Sequence, residues 1–185
     1  MHDYLLAIGV IVIFAYLGGF FAKNFLDKFK RIKKYIILAS LFVLVIIVSE
    51  LMKEGFAALG SFAAVSMGGG FLALMLLNKY YKNRTILYHE APKLIGFAAS
   101  YAVALDLGQA IAILISIQNI FQGGLFILNN SLKSLAREMF KFVILGIIAF
   151  TVFNTIPFLI KVHIMTVAAG MILYKVIYDG FFKGK

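Results

Sequence analysis

The sequence predicts an all-α, polytopic integral membrane protein: one transmembrane bundle of seven helices occupying residues 1–185 as a single domain. Three observations carry this expectation. Hydrophobic residues make up 63% of the chain, and the mean hydropathy is +0.98. Apolar runs of about 20 residues, the length that a hydrocarbon core roughly 30 Å thick demands of a helix, recur from end to end. Lys and Arg collect in alternate connections, and short basic loops stay on the cytoplasmic side. The expected spans are residues 4–22, 35–52, 56–77, 85–105, 108–128, 142–160 and 163–179.

The first span carries His2 and Asp3 ahead of it and its basic flank behind it, the order of a retained anchor rather than a cleaved signal. Lys23, Lys28, Lys30, Arg31, Lys33 and Lys34 follow it, and Phe25, Leu26, Phe29 and Ile32 recur there at helical spacing, so this stretch reads as a short interfacial helix. The turn at Lys53–Gly55 makes the second and third spans a hairpin. Gly68, Gly69 and Gly70 in the third mark either a close helix contact or a local unwinding covered by protein. Lys79, Lys82 and Arg84 follow that span, and the Asp106–Gly108 turn joins the fourth and fifth. Lys133, Arg137 and Lys141 follow the fifth span. Thr151, Asn154 and Thr155 precede Pro157 and are expected to cap a kink in the sixth. Lys175 and Asp179 are four apart in the seventh, the spacing of a local ion pair, and Lys183 and Lys185 follow it. The other side receives only Lys53 and Lys161, which puts the N-terminus outside the cell membrane and the C-terminus in the cytoplasm.

A net charge of +10 in a water-soluble chain would suggest nucleic acid. Here it sits in connections that face anionic lipid, with no aromatic-rich basic groove, so the expected partner is the bilayer and not nucleic acid. The chain has no Cys, which excludes disulfides and thiolate metal sites. With no Trp, interfacial belts fall to residues such as Tyr4, Tyr35, Tyr80, Tyr81 and Tyr88. Enzyme signatures are missing: His89-Glu90 does not open an H-E-x-x-H, because the fifth position is Lys93, and no G-x-S-x-G occurs. The chain therefore reads as a non-enzyme.

Ionisable groups inside a bilayer are costly and mark function by default. The fourth span reads Tyr88, His89, Glu90, Ala91, Pro92, Lys93. His89 and Lys93 share a helix face, Glu90 and Lys93 are spaced to pair, and Pro92 frees a carbonyl one turn earlier. Lys93 either reaches back to water past the nearby basic loop or faces the bundle. The fifth span carries Gln118, Asn119 and Gln122 near its middle, too deep to reach water. They either hydrogen-bond between helices or line a polar path.

In these two stretches the chain resembles the ZIP family of divalent metal transporters, as a divergent and shortened member. The family's fourth helix carries H-N-x-P-E-G and its fifth H-N-x-P-E-G or Q-N-x-P-E-G; here His89–Leu94 reads H-E-A-P-K-L and Gln118–Gly123 reads Q-N-I-F-Q-G. An A-A-G-x-x-x-Y stretch of the seventh helix is matched from Ala168 to Tyr174. The resemblance implies a ZIP-like 3+2+2 order and a path for Zn²⁺ or Fe²⁺ lined by His89, Glu90, Lys93, Gln118, Asn119 and Gln122, with His89, Gln118 and Gln122 left as metal ligands. It also implies a degraded site. Lys93 and Gln122 stand where the family has Glu, and Ala149 stands at the sixth-helix Glu. No eighth span follows Asp179. An ammonium about 4 Å from a single positive charge is repelled by about 4 kcal/mol at an effective dielectric near 20, and a dication more strongly. Lys93 could thus stand in for a metal. Three functions follow: divalent metal transport, a metal-independent scaffold or partner subunit, and passage of another, anionic solute recognised by Lys93. Protein partners would be a second copy of the chain or another membrane protein.

Overall fold

The computed structural model describes residues 1–80 and 86–182, with side chains described for 1–79 and 90–180. Seven helices follow one another: α1 (His2–Asn24), α2 (Leu26–Leu59), α3 (Phe62–Tyr80), α4 (Ile86–Val103), α5 (Leu105–Ile127), α6 (Leu132–Thr155) and α7 (Phe158–Phe182). No strand occurs among the described residues. Helices α1, α2, α3, α5 and α7 are each long and apolar enough to cross a membrane. The outward side chains agree with lipid rather than water: Ile13, Phe20, Leu38, Phe42, Val65 and Leu72 are all exposed, far beyond the apolar patches that soluble monomers carry.

Several boundaries differ from the sequence expectation, each for a local reason. The basic stretch after α1 is not a separate interfacial helix. It forms the opening turns of α2 after a one-residue break at Phe25. At 34 residues α2 is about 51 Å long, so its basic end extends beyond a ~30 Å core. The helix also runs through Lys53–Gly55 and turns at Gly60–Ser61 instead. Gly60 has φ +55, the left-handed conformation that glycine adopts without strain. Gly55 is buried, and a Cβ there would overlap the Thr166 methyl. It serves packing, not turning. The α4–α5 connection is Ala104 alone, with Asp106 in the first turn of α5. Pro157 ends α6 rather than kinking it, because the residue before a proline is pushed to extended geometry; Ile156 has ψ 155. Thr151, Asn154 and Thr155 bond to carbonyls of their own helix, at Ile147, Phe150 and Val152.

Four helices form an inner ring in the order α2, α5, α4, α7, each packed on the next. Outside it, α1 lies chiefly on α5, α3 on α7 and α6 on α4. Exchanging α1, α2 and α4 with α6, α7 and α5 preserves the principal contacts, whereas α3 breaks the pattern by packing far more on α7 than on α2. Two outer contacts are backbone crossings. A Cβ on Gly18 would overlap the Ile120 carbonyl, and one on Gly123 that of Ala15. Gly70 meets the Val167 carbonyl and Gly170 that of Met67 in the same way. Small residues that allow such approach are the usual means of joining helices in lipid. Of the three-glycine run only Gly70 makes a close contact; Gly68 and Gly69 face open space, and the helix is not unwound there.

Tyr4 is not a belt residue. It is 1% exposed, stacks between Phe97 and Phe150, and donates to the Gly146 carbonyl at 2.8 Å. Tyr35 is 71% exposed, in keeping with a belt. Tyr81 lies outside the described residues, as do the side chains of Tyr80 and Tyr88.

Candidate functional site

Where the inner ring closes, it encloses the polar residues of α4 and α5. Lys93 is 1% exposed, Glu90 4%, Gln118 0% and Asn119 2%. Lys93 therefore does not reach back to water. Its ammonium pairs with the Glu90 carboxylate one turn earlier on α4. It also donates to Gln118 Oε1 at 2.5 Å and Asn119 Oδ1 at 3.2 Å. An ammonium has three N–H donors and no acceptor, and it faces three oxygens here, one in an ion pair and two as hydrogen-bond acceptors. Gln118 Nε2 then donates to Ser40 Oγ on α2 at 3.1 Å, carrying the network across the ring. Asn119 Nδ2 is buried with no hydrogen-bond partner among the described residues.

The local sequence explains the placement. Pro92 lies inside α4 and cannot donate to the carbonyl one turn back, yet the helix continues through it. Glu90 and Lys93 are three apart and share a face. On α5 the adjacent Gln118 and Asn119 both reach Lys93. The fourth ring helix brings a further buried charge: Lys175 on α7 is 6% exposed. Lys175, Tyr178 and Asp179 line a small cleft beside Pro92, with Asn78 and Tyr174, whose side chains are hydrogen-bonded at 2.9 Å. The cleft holds about 10 Å³, room for roughly one water.

Of the six residues singled out from sequence, Glu90, Lys93, Gln118 and Asn119 come together. Gln122 does not join them; it is half-buried and makes no hydrogen bond with its side chain among the described residues. It lies one turn past Gln118 on α5, and the adjacent Asn119 takes the place at Lys93 expected for it. The backbone of His89 belongs to α4, but its side chain lies outside the described residues. Three participants were not read from the sequence as part of a site: Ser40, Lys175 and, elsewhere, His163, whose Nδ1 lies 2.7 Å from Ser66 Oγ between α3 and α7. A lone serine in an apolar run was the available signal for Ser40.

As arranged, oxygens of Glu90, Gln118 and Asn119 gather around one cationic group, the Lys93 ammonium itself. No group of three or more His, Asp or Glu side chains that could hold a metal occurs among the described residues. No protein-family model, curated protein or solved structure matches the chain.

Proposed function

We propose that this chain is a ZIP-like membrane protein of seven spans, N-terminus outside and C-terminus cytoplasmic, in which the Lys93 ammonium stands where a transported divalent cation would sit. One observation carries the reading: oxygens of Glu90, Gln118 and Asn119, from two helices, surround a buried ammonium as they would surround a cation. Such a cage is expensive to build in a bilayer and points to an ion path. With Lys93 seated, a dication is excluded by repulsion, and movement of Zn²⁺ or Fe²⁺ requires that side chain to leave. A metal-independent scaffold or partner subunit is the second reading, favoured by the ion pair and two hydrogen bonds that already engage Lys93.

Vesicles reconstituted with the purified protein test both. The wild type should take up Zn²⁺ slowly or not at all. Lys93→Ala leaves an oxygen-lined vacancy carrying the Glu90 carboxylate, and should gain Zn²⁺ binding by calorimetry and faster uptake. Tight wild-type binding indifferent to Lys93→Ala would sink the tethered-cation reading. A folded Lys93→Ala protein that neither binds nor moves metal would favour the scaffold. Because the chain has no Cys, single Cys probes at Lys28 and Asp106 report topology cleanly. An impermeant reagent added outside should label position 106 and spare 28; the reverse result would invert the orientation.

A further inference from the structure

Away from the central ring, α1 and α6 run antiparallel: Tyr4 meets Gly146, while Gly19 abuts Leu132 and Leu135. Between them lies an open groove of about 510 Å³. Val12, Tyr16, Met139, Phe140 and Val143 wall it, and Arg137 stands at the end where α6 begins. The walls cover residues 12–16 of α1, about 6 Å, and residues 136–143 of α6, about 10 Å, room for the upper part of one acyl chain. Phe140 is 66% exposed along the groove's edge, so no described residue covers it.

The charge at that end is one-sided. Lys133, Arg137 and Lys141 follow one another at four-residue spacing, lie on one face of α6 and are all exposed. The acid within this turn, Glu138, is already paired with Lys141 at 2.8 Å. Lys133 and Arg137 make no ion pair among the described residues. The neighbouring opening turns of α2 add exposed Lys28, Lys30, Arg31, Lys33 and Lys34, with Asp27 as their one acid. An apolar slot ending at an unpaired guanidinium is complementary to one ligand chemistry: an acyl chain ending in a phosphate. Arg presents a planar fork of donors that matches a phosphate's oxygens.

We propose that the α1–α6 groove is a binding site for an anionic phospholipid, with its chain along Val12, Met139 and Val143 and its phosphate on Arg137, assisted by Lys133. The site is independent of the Lys93 cage. Its occupant is held by position and charge, because apolar contact alone gains little over the surrounding lipid.

The test is lipid binding to the purified full-length chain in detergent, followed by native mass spectrometry and thermal unfolding. Phosphatidylglycerol should bind at least several-fold tighter than phosphatidylcholine of the same chains, and should raise the unfolding midpoint. Inorganic phosphate alone should do neither, since it lacks the chain. Arg137→Gln, an exposed change that leaves the core alone, should weaken phosphatidylglycerol binding about fivefold, the worth of one basic residue near an anionic surface. Val143→Trp should fill the slot and remove the preference without altering charge. Lys53→Gln, at the other end of α2, should change nothing. Equal affinity for the two lipids, an unchanged Arg137→Gln protein, an equal loss in Lys53→Gln, or a dimer in which this groove is covered would each overturn the proposal.

Discussion

Helix α5 makes two interfaces by opposite means. Toward α1 it offers backbone: Gly123 lies against the Ala15 carbonyl, and the Ile120 carbonyl lies against Gly18. Toward α4 it offers side chains: Gln118 and Asn119 hold the Lys93 ammonium. Gln118 and Gly123 are roughly 140° apart around the helix, so the two contacts use different faces. Apolar burial drives neither contact, since lipid tails are as apolar as the side chains they touch. One interface gains dispersion by removing side chains, and the other gains electrostatic satisfaction by adding them. They should therefore fail differently. The polar interface should fail through a broken ion pair and be rescued by neutralising the other charge. The glycine interface should fail through overlap that no partner change relieves.

Lys93→Met should show the largest effect. It takes the Lys93 partner away from the buried Glu90 carboxylate, and breaking one partner of a buried pair costs about 3–5 kcal/mol. Adding Glu90→Gln removes the other charge of the pair and should recover most of the loss, since a buried pair replaced by neutral groups is often close to neutral. Unfolding equilibria in mixed micelles measure both. A loss under about 1 kcal/mol for Lys93→Met would mean that the pair has access to water and the ring is not dry.

Gly123→Ala comes next. Its Cβ would run into backbone at Ala15, which cannot rotate aside, so a cost of about 1–3 kcal/mol is expected from overpacking. Gly18→Ala should cost a similar amount through Ile120. In contrast with the polar interface, trimming the neighbour by Ala15→Gly should not rescue Gly123→Ala, because the obstructing atoms are main chain. Full rescue would show that the contact is made by side chains after all.

The order and number of helices were readable because each apolar run persists for the length of a helix. Their ends were less so. Gly55 and Gly60 look alike in sequence, but one packs beneath Thr166 and the other turns the chain, a difference set by what lies opposite. Lys93, Gln118 and Asn119 were visible as groups that lipid would not tolerate. Ser40 was not, because a helical serine can bond its own backbone. Ser100 and Ser116 do so, reaching Phe97 and Ala112, and nothing in the spacing says which serine reaches across. The glycine run does make a close helix contact, but at Gly70 alone: small residues permit contact, and the neighbouring helix decides which of them makes it.

Gln118→Leu probes the polar interface without breaking the Lys93–Glu90 pair. It removes one of three acceptors from Lys93 and frees Ser40 Oγ. Interhelical hydrogen bonds in membranes average about 0.6 kcal/mol and reach about 1.7, and a loss within that range is expected. Ser40→Ala should cost less than Gln118→Leu, since it touches only the outer bond of the network. Equal costs would mean that Lys93 draws little from Gln118 and relies on Glu90 and Asn119.

Two adjacent glycines in α3 give the smallest and sharpest contrast. A Cβ on Gly70 would overlap the Val167 carbonyl, whereas one on Gly69 meets nothing within 4 Å. Gly70→Ala should therefore destabilise like Gly123→Ala. Gly69→Ala adds no contact and removes backbone freedom from the unfolded chain, so it should stabilise by up to about 1 kcal/mol. The two substitutions are chemically identical and one residue apart, so any shift in helix propensity or lipid solvation is nearly common to both. Their difference isolates the backbone crossing of α3 on α7. If Gly69→Ala destabilised as much as Gly70→Ala, the open side of Gly69 would have to be covered in the bilayer, by lipid packing or by another chain against α3.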